Sequence, residues 1–144
     1  MGTRREAREL ALQALYQLDV TGESEAERAL AVFWTHFDAA SEVRDFAREL
    51  VDGVRTNCER IDALIAASVE HWRLPRLSRV DLNLLRLATF ELLARPDIPA
   101  SVTINEAIEI ARRFGSEDSA AFVNGVVDHI ARVLGVKERR PGAE

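Results

Sequence analysis

The chain has 144 residues, 47% of them apolar and 30% charged, with a formal net charge of −5, which fits one domain able to fold without disulfide or metal. The acidic balance excludes wholesale coating of nucleic acid, which calls for a basic domain, but leaves room for a local basic patch. The single cysteine, Cys58, suits a reducing compartment, and with neither a secretory signal nor an apolar run near the roughly 20 residues of a membrane span, a cytoplasmic protein is expected.

Thr3 and Glu6 have the spacing of a capping box, so a first helix is predicted from Thr3. Ala7, Leu10, Ala11, Ala14, Leu15 and Leu18 recur at helical spacing and define its buried face. Gly22 ends it. Ser24 and Glu27 repeat the capping pattern and open a short helix through Phe37. A longer third helix is predicted from Ser41 to His71, with Val43, Phe46, Ala47, Leu50, Val54, Ile61, Leu64, Ile65 and Val69 in the core and Gly53 permitting close packing. Pro75 places a linker at 72–77, and Ser78 can cap the next helix. Val80 to Leu93 is apolar on nearly every side, the mark of a central core helix. Pro96 and Pro99 enforce a turn. Thr103 and Glu106 make a third capping pair, opening a helix through Phe114. Gly115 stops it, and Ser116 starts a last helix to about Leu134, before Gly135. The tail, 136–144, reads as flexible. The chain is therefore expected to be all-helical: one domain over 1–135, built of two sub-bundles (about 1–72 and 73–135) that share one core.

No glycine-rich phosphate loop or dinucleotide fingerprint is present. His36, His71 and His129 are scattered, and Cys58 has no neighbour at metal-ligand spacing. No catalytic site, metal or cofactor is expected. The first helix carries a different signal. At 100° per residue its buried arc centres near Ala11 and Ala14, which leaves Arg5, Arg8, Leu12 and Tyr16 on one flank. Guanidinium groups neutralise phosphate and a tyrosine ring stacks on a base, so this flank is a candidate surface for single-stranded RNA. A solvated helix face with Tyr16 packed on a neighbouring element fits the same residues. The cations are arginines except Lys137, a choice that suits RNA and that genome base composition also produces. In INEAIEIARRFGSEDSAAFVNGVVDHI, Arg112 and Arg113 complement the dipole of a helix end. Phe122 sits at the edge of the next helix's apolar arc, either core or ligand-facing.

The segments RREARELALQALYQLD, VDLNLLRLATFELL and INEAIEIARRFGSEDSAAFVNGVVD together resemble the NusB family of bacterial transcription antitermination factors, over nearly the whole chain. The resemblance implies two three-helix sub-bundles. It also implies binding to boxA RNA of ribosomal RNA leader transcripts together with NusE, a small-subunit ribosomal protein, in a complex that helps RNA polymerase pass termination signals. It maps RNA-binding roles onto Arg4, Arg5, Arg8, Tyr16, Asp118 and Phe122, and a contact with NusE onto Asp81. The family includes homodimers and monomers, and the sequence admits either. Glu6 and Glu9 interrupt the basic start, so a partner is expected to supply missing charge and contact area. A related RNA-binding domain opens ribosomal RNA cytosine methyltransferases, but no methyl-donor domain follows Leu134, so a complete antitermination factor is expected. A protein-interaction module with a solvated arginine flank is the other rival; salt-dependent RNA binding separates the two.

Overall fold

A computed structural model describes residues 2–22, 25–69 and 77–137. These residues form seven helices and no strand: α1 (Thr3–Thr21), α2 (Ala26–His36), α3 (Ser41–Thr56), α4 (Cys58–Ser68), α5 (Arg79–Ala94), α6 (Ala100–Phe114) and α7 (Ser119–Val133). The all-helical expectation holds. No helix among the described residues is long and apolar enough to cross a membrane.

The helix starts differ from the expected capping boxes. Gly2, not Thr3, precedes α1; its carbonyl accepts the N–H groups of Arg5 and Glu6 at 3.1 and 3.3 Å, and no side chain caps that end. Ser24 lies outside the described residues, and the Glu27 carboxylate pairs with Arg55 at 2.8 Å. α6 begins at Ala100, straight after Pro99, a full turn before Thr103. Proline's fixed φ suits a helix start, so the turn does the work assigned to the Thr103–Glu106 pair. Ser78 alone behaves as expected, its hydroxyl accepting the Asp81 N–H at 3.0 Å.

The long helix expected over 41–71 is two helices, α3 and α4, divided at Asn57. That residue's φ and ψ of −107° and 18° leave the helical region, yet most bonding survives. Its N–H and side-chain amide both donate to the Gly53 carbonyl, at 3.1 and 2.8 Å, and its carbonyl accepts from Ile61 at 2.9 Å. One bent residue thus keeps Val54, Ile61 and Ile65 on a common buried face. His71 and most of the expected linker lie outside the described residues. The body also extends past the expected end at 135. The Val136 N–H donates to the Ala131 carbonyl at 2.9 Å, and Lys137 pairs with Asp128. The rest of the expected flexible tail, 138–144, is outside the described residues.

α5 is the central helix its all-round apolarity predicts: it packs against α1, α3, α4, α6 and α7, burying Leu84, Leu85, Leu87, Ala88, Phe90 and Leu92. Two of its polar residues reach partners on other helices at one end of the molecule. Arg86 grips Asp62 of α4 through two bonds of 2.9 Å and reaches Asp19 of α1 at 3.5 Å, while Asn83 donates to Asp19 at 2.6 Å. These contacts tie α1, α4 and α5 together.

The close passage of α3 over α5 depends on Gly53. A Cβ placed there would stand 2.2 Å from the Cε1 and Cζ atoms of the buried Phe90 ring. Alanine gains about 1 kcal/mol of helix propensity over glycine, but overpacking costs about 1–3 kcal/mol. Gly53→Ala is therefore expected to lower the urea midpoint despite the better helix former. Circular dichroism of the two proteins in urea tests this, and an equal or higher midpoint contradicts the close packing.

Candidate RNA-binding surface

Two of the three arginines of the first helix, Arg5 and Arg8, do not lie on an open flank. Arg8 is 4% exposed, against the expectation that it faces outward. Its Nε and Nη2 each donate at 2.8 Å to the two carboxylate oxygens of the equally buried Glu91 of α5. Thr103 adds a hydroxyl donor to Glu91 at 3.3 Å. The physical reason is that α5 and α6 both cover the edge of α1's apolar arc, so a position just outside that arc is still interior. A buried guanidinium then requires a buried carboxylate. Arg8 cannot meet a phosphate without abandoning Glu91.

Arg5, half-buried, is held by Glu106 of α6 through a parallel fork, Nε to Oε1 at 2.8 Å and Nη2 to Oε2 at 2.6 Å. The hydrogen bond from Arg5, and then the charges of Arg5 and Arg8, hold the Glu106 carboxyl below its ordinary range. Glu106 thus serves Arg5 rather than capping α6. Arg4 is the most available of the three, with a side chain 51% exposed and a loose 3.6 Å pair with Asp97. Asp97 is itself forked by Arg95 at 2.9 and 2.8 Å, and those hydrogen bonds hold its carboxyl down at about 2.

The Phe46 ring organises this cluster. The guanidinium carbons of Arg4, Arg8 and Arg95 lie 5.3, 5.7 and 5.1 Å from its centroid. Cations near one ring gain from its quadrupole but repel one another, and Asp97, Glu49, Glu91 and Glu106 offset that repulsion. This explains why Phe46 is only half-buried, although its spacing places it in the core.

Further along α1 the surface changes from ionic to aromatic. Arg113 of α6 reaches Glu9 at 2.9 Å, so α1 and α6 are laced by Arg5–Glu106 and then Glu9–Arg113. Beyond that pair lies a groove of about 760 Å³ between α1 and α2, lined by Tyr16 and Phe114 among others. Tyr16 is 43% exposed, as the sequence suggests. Phe114, which sequence reasoning treats only as a helix end, joins Phe33 and Phe37 as an aromatic residue of Tyr16's groove.

Asp118 and Phe122 stand on the other side of the α6–α7 turn and do not line this groove. Asp118 is exposed and precedes α7, the start expected at Ser116 having moved to Ser119. Phe122 is half-buried and packed against the core. The turn between α6 and α7 is tight: the Ser116 N–H donates to Ser119 Oγ at 2.9 Å, and a Cβ on Gly115 would come within 2.4 Å of that oxygen. Asp81, half-buried in the first turn of α5, has a buried Oδ1 with no hydrogen-bond partner among the described residues. No cluster of His, Cys, Asp or Glu among the described residues is arranged to hold a metal ion.

The comparisons with known proteins agree with this architecture. The NusB family model matches residues 5–132. The transcription antitermination protein NusB of Geobacter sp. (strain M21) is 51% identical over 145 residues, covering 96% of this chain and all of that protein. Its counterpart in Myxococcus xanthus (strain DK1622) is 50% identical over 139 residues, covering 93% of this chain and 98% of that protein. Among solved structures, T. maritima NusB superposes with a TM-score of 0.81 at 44% identity, covering 90% of each chain. A chain in a complex of antitermination factors NusB and NusE with double-stranded RNA superposes with a TM-score of 0.78 at 27% identity, covering 91% of this chain and 97% of that one. A match that spans all seven helices, at about half identity to relatives of the same length, leaves one conclusion: the chain belongs to the NusB family.

Proposed function

We propose that the chain is an RNA-binding transcription antitermination factor, not an enzyme, acting in the cytoplasm. With NusE it binds boxA RNA of ribosomal RNA leader transcripts and helps RNA polymerase pass termination signals. The observation that carries this reading is the exposed ring of Tyr16 in the groove beyond the arginine cluster of α1. Arg4 supplies the accessible positive charge, Tyr16 a stacking face, and Asp118 and Phe122 the adjoining edge at the α6–α7 turn. Arg5 joins them when Glu106 releases it, and Arg8 positions α1 from within. The self-neutralised arginines make the free chain a weak RNA binder, so NusE supplies part of the contact. Asp81, half-buried in the first turn of α5, is the residue assigned to the contact with NusE.

Tyr16→Ala is expected to weaken boxA RNA binding in the presence of NusE by roughly tenfold, from a stacking contribution of about 1–3 kcal/mol per base. Its exposure predicts little loss of stability. Fluorescence titration with boxA and scrambled RNA, with and without NusE, tests both the residue and the reading. Equal affinity for the two RNAs in both conditions would sink the boxA assignment, and unchanged affinity in the folded variant removes Tyr16 from the site.

A further inference from the structure

We infer that the RNA path continues from Tyr16 across the groove to α2, which forms a second wall for unstacked bases; this rests on the RNA-binding reading above. On α1, Gln13, Tyr16 and Gln17 share one face at i, i+3 and i+4, and all three are exposed and line the groove. Side-chain amides both donate and accept, so two of them flanking an exposed ring suit base edges and a base face at once. The floor is aromatic. Phe33 and Phe37 stack with centroids 4.4 Å apart, and Phe114 closes the groove from α6.

The α2 wall carries Val32, 51% exposed, and Arg28. Arg28 is exposed and has no ion-pair partner among the described residues. That sets it apart from Arg4, Arg5 and Arg8, each of which faces a carboxylate. A guanidinium with no ion-pair partner among the described residues, on the rim of an aromatic groove, is a phosphate contact awaiting a polyanion. Glu25 also lies on the groove, three residues before Arg28, so one carboxylate stands beside the Arg28 contact. The occupant is single-stranded RNA rather than an apolar protein helix, because the groove opens on the same helix that carries Arg4 and Arg5 and its walls offer amides and a cation.

The test uses the full chain with NusE and a short single-stranded boxA RNA. Arg28→Gln is expected to weaken binding about threefold and to flatten the slope of log affinity against log salt by about 0.7, the effect of one lost phosphate contact on a single strand. Val32→Glu, which places a carboxylate over the groove, is expected to weaken binding roughly tenfold. Both side chains are exposed, and melting curves check that the variants stay folded. Wild-type affinity in both variants, with Tyr16→Ala still weakened, overturns the α2 wall and leaves the RNA reading standing. Failure of the wild-type chain to bind the RNA overturns both. A Val32→Glu variant that loses NusE or self-association while keeping RNA affinity also overturns the inference, since the groove then seats protein.

Discussion

Replacing Glu91 with alanine is expected to destabilise the fold by about 3–5 kcal/mol, the largest single effect anticipated in this chain. Glu91 and Arg8 are 2% and 4% exposed. The carboxylate takes two bonds of 2.8 Å from Arg8 and one of 3.3 Å from Thr103. Removing it leaves a guanidinium among Leu84, Leu87, Ala88 and Ile110 with only a looser 3.6 Å pair to Glu106 in place of its two short bonds. A buried charge without its partner costs about 3–5 kcal/mol, a drop in melting temperature on the order of 10 °C. The pair as a whole is a different matter. Two desolvated ions repay little of their hydration, so Arg8→Met with Glu91→Leu is expected to recover most of the stability lost by either single change. Urea unfolding of the two single variants and the double variant measures the coupling. Additive losses in the double variant would show that Arg8 and Glu91 act independently.

The same pair shows where sequence reading stops. The apolar face of α1 is legible in the sequence, since Ala7, Leu10, Ala11, Ala14 and Leu15 are all buried. What periodicity cannot show is that a second layer covers the neighbouring flank, because Arg8's partner lies 83 residues away. Thr103 and Glu106 mislead for a related reason. Their spacing is that of a capping box, but both side chains turn to α1 and α5 rather than to their own helix end. The break at Asn57 leaves no trace in the pattern, since Val54, Ile61 and Ile65 keep one register through it. α5 is readable because its signal is local: apolar on every side means enclosed on every side. Tyr16 is readable as exposed, whereas Phe114 is not readable as lining the same groove, because that placement is made by the packing of α6 in the folded chain.

Glu106→Gln is expected to tighten boxA RNA binding about three- to tenfold in the presence of NusE while costing the fold about 1 kcal/mol. Glu106 occupies both donors of the Arg5 fork at 2.8 and 2.6 Å, the same geometry by which arginine holds a phosphate. RNA must therefore displace a carboxylate before it gains the cation. A glutamine keeps one oxygen acceptor near Arg5 but loses the charge, and hydrogen bonds to charged groups are worth about 1.5–3 kcal/mol against about 1 for neutral ones. With that carboxylate neutralised, Arg5 adds one phosphate contact, so the slope of log affinity against log salt steepens by about 0.7. Mild acid does not mimic the substitution. The hydrogen bond from Arg5 lowers the Glu106 carboxyl below its ordinary value of 4.5. The pair's stabilisation is complete above that value and is lost only as pH falls through the lowered one. At neutral pH the carboxylate competes at full charge. Glu109→Gln is the control, since its partner Arg112 is an exposed neighbour three residues on along α6 and its loss leaves the Arg5 fork intact. Weaker binding by Glu106→Gln with an unchanged salt slope would make Arg5 a purely structural cation and leave Arg4 as the charge that α1 offers to RNA.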